Sequence, residues 1–296
     1  MIDVKINNDN SEIISYNKAG IPIFIGEAYL SHYPNYKALC HWHEDIEFIY
    51  VLDGDMDYYI NGKIVPLEKG DSIVINSGRL HYGYSNFKKE CHFYCIILHP
   101  SLITTNKKLI KKYISSVTQS NSKDYLLFRN DNNVSELLQS LYNLKINPSQ
   151  SYELDVIGLF HILWNKIYNK IITDSNICET TTNTELISQR KMVSYIYQNY
   201  SNNISLNDIA YAGNVCRSKC CQIFKKYVGQ SPMEFVNSYR LESSQHLLLT
   251  TSLNITNICI ACGFNHLSYF TKQFQLKYGY TPRDYRRQYR KSTIFN

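Results

Sequence analysis

The sequence of 296 residues lacks any apolar run long enough to form a transmembrane helix, although 44% of its residues are apolar. A spanning helix needs about 20 consecutive apolar residues, and no stretch approaches that length. The first ten residues are polar and lack the apolar core of a secretory signal peptide. We therefore expect a two-domain protein that resides in the cytoplasm and does not enter a membrane.

Glycine and proline are also scarce, at 12 and 7 residues. Most glycines stand at turn-like positions, and none forms the glycine-rich loop that cradles phosphate groups. No nucleophile, base and orienting acid are spaced as a catalytic dyad or triad. The sequence therefore gives no sign of a nucleotide-hydrolysing or triad-type enzyme.

A disulfide framework is absent as well. The nine cysteines are odd in number and scattered, which suits a reducing compartment. Cys259 and Cys262 have the spacing of a redox or zinc motif, but no second pair lies nearby in the sequence. We expect both to be buried, unreactive thiols.

Charge is unevenly distributed along the chain. Residues 183–296 contain 14 Lys and Arg against 5 Asp and Glu, a net charge of +9, whereas residues 1–182 contain 17 against 20, a net charge of −3. A basic half joined to a slightly acidic half is typical of a DNA-binding domain attached to another domain. Basic helices also occur as ordinary solvated surface, so charge alone does not decide between these interpretations.

The N-terminal part has the pattern of short antiparallel strands. Apolar segments alternate with turn signals over residues 20–100, including Asp53-Gly54-Asp55 and the hairpin signal Asn61-Gly62. This spacing predicts a small antiparallel β-barrel. Residues 101–172 change to helical periodicity and can form either an intramolecular buttress or a dimerisation segment. One apolar stripe comprises Val134, Leu137, Leu138, Leu141 and Leu144, and another comprises Leu154, Ile157, Phe160, Leu163, Trp164 and Ile167.

The C-terminal part contains an internal repeat of about fifty residues. A polar stretch over residues 173–184 is the predicted linker, and residues 185–296 form the predicted all-α domain. Each copy has an apolar helix, a glycine turn at Gly213 or Gly263, a second helix with a polar face, and a Gly/Pro stop. The spacing of this stop is conserved between copies, with Phe224, Gly229 and Pro232 in one and Phe274, Gly279 and Pro282 in the other. Such a plan predicts two helix-turn-helix units, which suits reading two successive turns of a DNA duplex.

At the level of motifs, the last ~110 residues resemble the double helix-turn-helix domain of the AraC-type transcription regulators. The matching residues are Ala261-Cys262-Gly263-Phe264, Ser268-Tyr269-Phe270, Tyr278-Gly279-Tyr280-Thr281-Pro282, Tyr285-Arg286 and Arg240-Leu241. The resemblance implies a cytoplasmic regulator that binds double-stranded promoter DNA, acts as a homodimer and recruits RNA polymerase.

The same resemblance assigns the residues that face DNA. In the first unit, the predicted contacts are Arg217, Ser218, Cys221 and Gln222. In the second unit they are Asn265, His266, Leu267, Thr271 and Lys272, with Asn265 as the N-cap of the recognition helix, and Arg286 is added as a phosphate or structural contact. Gln favours adenine and Lys can reach guanine, so these side chains are expected to read sequence. Cys216 is expected to be a weak N-cap where the family usually has Ser.

The predicted barrel resembles a cupin. His41, His43 and Glu47 match the first cupin motif, and Gly70-Asp71 with Gly78 and His81 match the second, with Asn76 where Pro is usual. In metal-dependent cupins these histidines and the glutamate hold one divalent ion. Three interpretations remain open: a metal site, an organic effector pocket, or structural residues of an ancestral site. For an effector, the polar groups would be His43, Glu47, His81, Tyr82 and Tyr84, with Trp42 or Phe93 as a stacking face.

The favoured prediction is a non-enzymatic, ligand-responsive activator of carbohydrate-utilisation genes, with a small molecule such as a sugar as effector and with no bound cofactor. One alternative is a metal-dependent cupin enzyme that carries a DNA-binding tail. Another is a regulator without an effector, in which abundance sets activity and the barrel is only a dimer platform.

Overall fold

The computed structural model describes residues 11–12, 14–18, 20–118, 123–174 and 184–289. The chain divides into two compact units, Met1–Leu186 and Ile187–Asn296. Each unit has its own hydrophobic core. The predicted linker lies almost entirely outside the described residues, since the flanking helices end at Asp174 and begin at Thr184.

The first unit is built on seven antiparallel strands. They are β1 (Ile23–Tyr29), β2 (Ile46–Ile60), β3 (Lys63–Glu68), β4 (Ser72–Ile75), β5 (His81–Tyr84), β6 (Cys91–Leu98) and β7 (Tyr125–Phe128). Neighbouring strands follow the order β1-β6-β2-β4-β7, while β3 and β5 also pair with β2. The predicted antiparallel fold is therefore confirmed.

Strand β2 belongs to two sheets. Its first half pairs with β4 and β6, and its second half pairs with β3 and β5. The sequence predicted two strands separated by a turn at Gly54; the structure instead continues one strand through a bulge between Val51 and Asp53. Gly54 has φ +81°, and a Cβ there would lie 2.2 Å from the Glu90 carbonyl oxygen, so only glycine fits this bend. The hairpin at Asn61-Gly62 forms as predicted, with both residues at positive φ.

Alternation along the strands separates two cores. Glu47, Ile49 and Val51 point to the interior between the sheets, whereas Ile46 and Phe48 point to the opposite face. That opposite face packs against α3 (Asn132–Ile146) and α4 (Tyr152–Asp174). These helices are therefore a buttress of the sheet.

The helical segment differs from its prediction in two ways. Residues 125–128 form β7, which pairs with β4 because the edge of that strand would otherwise be left unpaired. Leu154, which was assigned to an apolar stripe, is 74% exposed, and Val156 is buried in its place. Before β7 the chain forms a short helical stretch made of α1 (Lys107–Leu109), a π-helix (Ile110–Ser115) and α2 (Ser116–Thr118).

The second unit is all-helical. Its helices are α5 (Thr184–Asn199), α6 (Leu206–Ala212), α7 (Arg217–Tyr227), α8 (Pro232–Thr250), α9 (Ile255–Ala261), α10 (Leu267–Tyr278) and α11 (Pro282–Tyr289). Helices α6 and α7 form one helix-turn-helix, and α9 and α10 form the other. Ser205 caps α6 and Ser231 caps α8, each in a reciprocal capping box with an acidic residue three positions on.

The turns of the two units differ by one residue. Four residues separate α6 from α7, and five separate α9 from α10. In the first unit the left-handed position is taken by Asn214 at φ +54°, whereas the predicted Gly213 has φ −81°. Gly213 is required for packing instead, since a Cβ there would lie 2.5 Å from the Met192 side chain. In the second unit Gly263 takes the left-handed position, as predicted.

Candidate functional site

A buried cluster of three histidines and one glutamate lies at one end of the β-fold. His41 and His43 precede β2, Glu47 is the second residue of β2, and His81 begins β5. The antiparallel bridge between His41 and His81 brings the two motifs together. One ligand atom from each of the four side chains lies within 4.8 Å of the others. The cupin-like spacing in the sequence therefore corresponds to one site.

Backbone contacts orient the three rings in the same way. Nδ1 of His41 lies 2.7 Å from the Leu39 carbonyl oxygen, and Nδ1 of His81 lies 2.7 Å from that of Arg79. Nδ1 of His43 lies 3.2 Å from the carbonyl oxygen of Asp45. A carbonyl oxygen only accepts, so each Nδ1 carries the proton and each Nε2 points to the cluster centre. This tautomer is the one that leaves Nε2 free to bind a metal ion.

Carboxylate oxygens face these Nε2 atoms. Oε2 of Glu47 lies 3.0 Å from His43 Nε2 and 2.9 Å from His81 Nε2. The Tyr58 hydroxyl donates to the other oxygen of Glu47. An unprotonated nitrogen and a carboxylate oxygen repel each other at such distances unless a proton or a cation lies between them. The cluster is thus built to hold positive charge at its centre.

Burial and mutual charge set the pKa values of this cluster. Burial, reinforced by the neighbouring His81, lowers the pKa of His41 to about 3. Burial would also lower the pKa of His43, but its hydrogen bond to Glu47 and the nearby acidic charges raise it above the ordinary value. Despite burial, the charges and hydrogen bonds of His81 and His43 hold the pKa of Glu47 well below its usual range. Glu47 is therefore an ionised carboxylate, while the pKa values of the neighbouring His41 and His43 shift in opposite directions.

A second carboxylate, Glu12, reaches the cluster, although no sequence motif identifies it. Its Oε2 lies 3.3 Å from Nε2 of His41, and its backbone N–H donates to the Trp42 carbonyl oxygen at 2.9 Å. Burial raises the pKa of Glu12 to about 7. Tyr58 was likewise missed, because its approach to Glu47 depends on the bend in β2.

The cluster fits a single divalent ion. Two ligand atoms that are each about 2.1 Å from an ion and at right angles to each other lie about 3.0 Å apart. The Nε2 to Oε2 distances of 2.9 and 3.0 Å match this geometry. Imidazole and carboxylate together suit Zn, Fe, Mn or Ni. His41, His43, Glu47 and His81 would hold the ion.

Two predicted effector residues lie away from the cluster. His81 and Gly83 on β5 are buried, whereas Tyr82 and Tyr84 alternate with them and point to the other face of the strand. The ring of Tyr82 stacks on that of Tyr59 with centroids 4.9 Å apart. The structure therefore joins His43, Glu47 and His81, and it does not bring Tyr82 and Tyr84 to them.

In the first helix-turn-helix, the predicted DNA-facing residues lie on the outer face of α7. Arg217, Ser218 and Gln222 are exposed, and Cys221 is half-buried. Cys216 is the N-cap, and its side chain makes no capping hydrogen bond. The first backbone N–H groups of α7 therefore lack a side-chain cap and can face a phosphate.

In the second unit, the exposed face of α10 carries most of the predicted set. His266, Leu267 and Lys272 are exposed, Thr271 is half-buried, and Ser268 and Tyr269 are further exposed positions. The prediction that Asn265 caps this helix is wrong. His266 is the N-cap, without a side-chain hydrogen bond, and it lies three residues after Gly263, just as the N-cap Cys216 lies three residues after Gly213. Asn265 is exposed in that turn.

Two arginines bind the protein itself. Arg286 Nε donates to the carbonyl oxygen of Leu248 near the end of α8, at 3.1 Å. Arg240 Nε donates to the Tyr200 carbonyl oxygen at 2.7 Å, and Nη2 donates to that of Asn202 at 2.8 Å. Both therefore have structural bonds, whatever further contact Arg286 makes with DNA.

The Cys259 and Cys262 pair is buried, with exposures of 2% and 0%. Both thiols are free, and burial raises the pKa of each. The prediction that both thiols are buried is confirmed. Among the described residues, no helix is both long and apolar enough to cross a membrane.

Comparisons with known proteins agree with both halves of the chain. The helix-turn-helix domain family matches residues 209–288, and the cupin domain family matches residues 33–97. An uncharacterised HTH-type transcriptional regulator, YdeC of Bacillus subtilis (strain 168), is 26% identical over 287 residues, 95% of this chain and 97% of its own length.

Two further relatives are named as transcription activators. HTH-type transcriptional activator RhaS of Mannheimia succiniciproducens is 26% identical over 83% of this chain and 88% of its own. The lactose operon transcription activator of Staphylococcus xylosus is 22% identical over 81% of this chain and 82% of its own. These relatives are regulators and not enzymes. With a cupin half, two helix-turn-helix units and relatives that match it over most of its length, the chain is similar to the AraC-type transcription regulators.

Proposed function

We propose that this regulator is a ligand-responsive activator that binds promoter DNA in the cytoplasm as a homodimer and recruits RNA polymerase to carbohydrate-utilisation genes. The observation that carries the proposal is the pairing of two exposed recognition helices, α7 and α10, with a separate β-fold that holds a buried polar cluster. The carbohydrate class is supported by the lactose operon activator among the relatives.

DNA recognition would divide between the two helices. The exposed Gln222 on α7 can pair with adenine, and the exposed Lys272 on α10 can reach guanine. Leu267 and the methyl group of Thr271 suit contact with thymine methyls. The uncapped starts of both helices suit phosphate oxygens, which position the helices without specifying sequence.

A binding titration of the full chain against the promoter region upstream of its own gene tests this division. Single base-pair substitutions should lower affinity in two clusters, about one helical turn (roughly 10 bp) apart. Replacing Gln222 with Ala should abolish the base preference in one cluster only, and Lys272→Ala should do so in the other. A single cluster, or losses that are uniform over all sequences, would contradict reading by two helices.

Effector control needs a ligand that prefers one conformational state of the regulator, since equal affinity for both states shifts nothing. A thermal-shift screen of the full chain against sugars and sugar phosphates tests the carbohydrate class, because a ligand that binds the folded state raises the melting temperature. A hit that also changes promoter affinity would support the proposal. A screen in which no sugar or sugar phosphate raises the melting temperature would count against a carbohydrate effector.

A metal-responsive regulator is the second candidate, and the histidine cluster specifically favours it. All three rings present Nε2 to carboxylate oxygens while Nδ1 is held by the backbone. A divalent ion would supply positive charge between these nitrogen and oxygen atoms. Its ligands would come from β2, from β5 and from the segment before β2, so binding would link these three parts.

Metal analysis of the purified full chain separates the two candidates. One equivalent of a transition metal per chain, lost in His43→Ala together with promoter affinity, supports a metal-responsive regulator. Metal-free protein that still binds the promoter and responds to a sugar supports the first candidate.

A further inference from the structure

The segment that contains Glu12 runs alongside the histidine cluster. Ser11 forms a parallel bridge with Trp42, the residue between His41 and His43, and the backbone N–H of Glu12 donates to the carbonyl oxygen of Trp42 at 2.9 Å. Farther along, the Tyr16 hydroxyl donates to Asp45 at 2.9 Å. The segment is therefore held against Trp42 and Asp45, which are sequence neighbours of His41 and His43.

These contacts bring the Glu12 carboxylate to His41. Its Oε2 lies 3.3 Å from His41 Nε2, while the oxygen of Glu47 faces His43 and His81. The Glu12 side chain is only 18% exposed. Each Nε2 atom of the cluster is thus matched by a carboxylate oxygen, and Glu12 serves the one that Glu47 does not.

We propose that Glu12 is a fifth ligand of a divalent metal ion bound by His41, His43, Glu47 and His81. This inference rests on the metal site proposed above. It assigns to the N-terminal segment a direct part in metal binding.

Charge balance favours a second carboxylate. Three neutral imidazoles, one carboxylate and a divalent ion have a net charge of +1, and the three histidines and Glu47 are all at least 94% buried. A net charge is costly away from water. Adding the carboxylate of Glu12 brings the net charge to zero. Glu12 is therefore the carboxylate, besides Glu47, that contacts a histidine of the cluster and would balance the ion, while the buried Asp45, which accepts from Tyr16, adds negative charge nearby.

Coordination number leads to the same residue. Catalytic metal sites keep a position for water or substrate, whereas structural sites are filled by protein ligands. With three nitrogens and two carboxylates as donors, a five-coordinate ion at this site would have no vacant position, and a six-coordinate ion would have one. A filled site suits a regulator that binds an ion without turnover, and five donors favour ions that accept more than four ligands.

Cobalt titration of the full chain after metal removal tests the proposal, because Co²⁺ reports its ligands by visible absorption. Wild-type protein should bind one Co²⁺ with the weak bands of a five-coordinate ion, and added azide should leave the spectrum unchanged. Glu12→Gln should bind at least tenfold more weakly, and azide should produce a new charge-transfer band at the opened position. Glu12→Asp, which keeps the carboxylate, should recover part of the affinity.

Glu44→Gln is the matched control, since Glu44 is an exposed acid beside His43 that accepts a hydrogen bond from Ser77. It should behave as wild type. Equal affinity and equal spectra for Glu12→Gln and wild type would overturn the role of Glu12 while leaving the metal site intact. Wild-type protein that binds its promoter but takes up no Co²⁺ would overturn both the metal site and this inference, and the DNA-binding function would stand.

Discussion

At the scale of single residues, Lys272 is the clearest candidate for reading sequence. It is exposed on α10, the second recognition helix. A lysine that contacts a base edge contributes at one position of the site, whereas a lysine on phosphate contributes on every sequence.

Lys272→Ala should therefore weaken promoter binding by roughly 1–3 kcal/mol and relax the preference at one base pair. A binding titration against base-substituted promoters measures both effects. Lys191→Ala is the control, since Lys191 is exposed on α5 and removes the same charge away from the recognition helices. Equal losses on all promoters would show that Lys272 touches only phosphate.

Gly263 is a residue whose conformation and surroundings both exclude a side chain. Its φ is +77°, and a Cβ would lie 2.4 Å from the backbone oxygen of Tyr200. Gly279 has the same φ but open space around it.

Gly263→Ala should destabilise the second unit by more than about 2 kcal/mol, because a steric clash adds to the left-handed strain, and Gly279→Ala should cost only about 1–2 kcal/mol. Thermal unfolding of the two full-length variants compares them directly. Similar melting temperatures would show that the Tyr200 backbone moves aside.

At the scale of elements, the helices that read DNA are capped differently from the helices that support them. Ser205 and Ser231 cap α6 and α8, whereas Cys216 and His266 leave α7 and α10 without a side-chain cap. The recognition helices thus give up local stability at the ends that suit phosphate.

Cys216→Ser should add a cap and stabilise the free chain by about 0.5–1 kcal/mol. Ser205→Ala, which removes an existing cap, should cost about 1 kcal/mol and serves as the calibration. Melting temperatures report both. If Cys216→Ser leaves the melting temperature unchanged, the start of α7 does not limit stability.

The core of the second unit contains ionisable groups that remain neutral when folded. Burial raises the pKa of Cys262 from 9.0 to about 12 and the pKa of Tyr239 from 10.0 to about 12. Above pH 9 the unfolded chain releases these protons first, so the folded state holds more protons and loses stability as pH rises.

Between pH 9 and 12, Cys262 alone should contribute a loss of up to roughly 4 kcal/mol. Calorimetric melting of wild type and Cys262→Ala over this range measures it. Cys262→Ala should start less stable, because it leaves a small cavity, and should decline less steeply. Parallel declines would show that other groups dominate.

Sequence patterns predicted elements well where local rules decide. The hairpin at Asn61-Gly62 and the helices of the repeat follow from turn chemistry and apolar spacing. Strand β7 did not follow, because its pairing depends on the free edge of β4 rather than on its own four residues. The N-cap of α10 was misplaced although the repeat indicates it, since His266 follows Gly263 at the same distance as Cys216 follows Gly213.

The sequence also predicted only part of the candidate site. Three histidines and Glu47 could be paired because their spacing repeats a known motif. Glu12 lies 29 residues before His41 without any pattern that links them, and Tyr58 reaches Glu47 only through the bend of β2. Tyr82 and Tyr84 were assigned by proximity to His81, while strand alternation turns them to the other face.

At the scale of the whole molecule, the uneven charge makes DNA binding sensitive to salt. The C-terminal part has a net charge of +9 and the N-terminal part −3. Each phosphate that a basic side chain neutralises releases counterions, and their release is less favourable at high salt.

Promoter affinity should therefore fall by about 10³–10⁵ between 50 and 200 mM salt if 6–10 phosphates are contacted. Titrations of the full chain at several salt concentrations give the slope. Lys272→Ala should leave that slope nearly unchanged if Lys272 reads a base. A shallow slope in wild type would mean that few phosphates are engaged.

The bend of β2 has a mechanical consequence for the first unit. Glu47 lies before the bend and Tyr58 after it, yet their side chains are joined by a hydrogen bond. A displacement of the Glu47 carboxylate toward an ion would therefore also move Tyr58 in the second half of β2, because a hydrogen bond joins the two side chains. Gly54 lies at this bend and has no room for a side chain, so a substitution there would disturb the part of β2 that joins Glu47 to Tyr58.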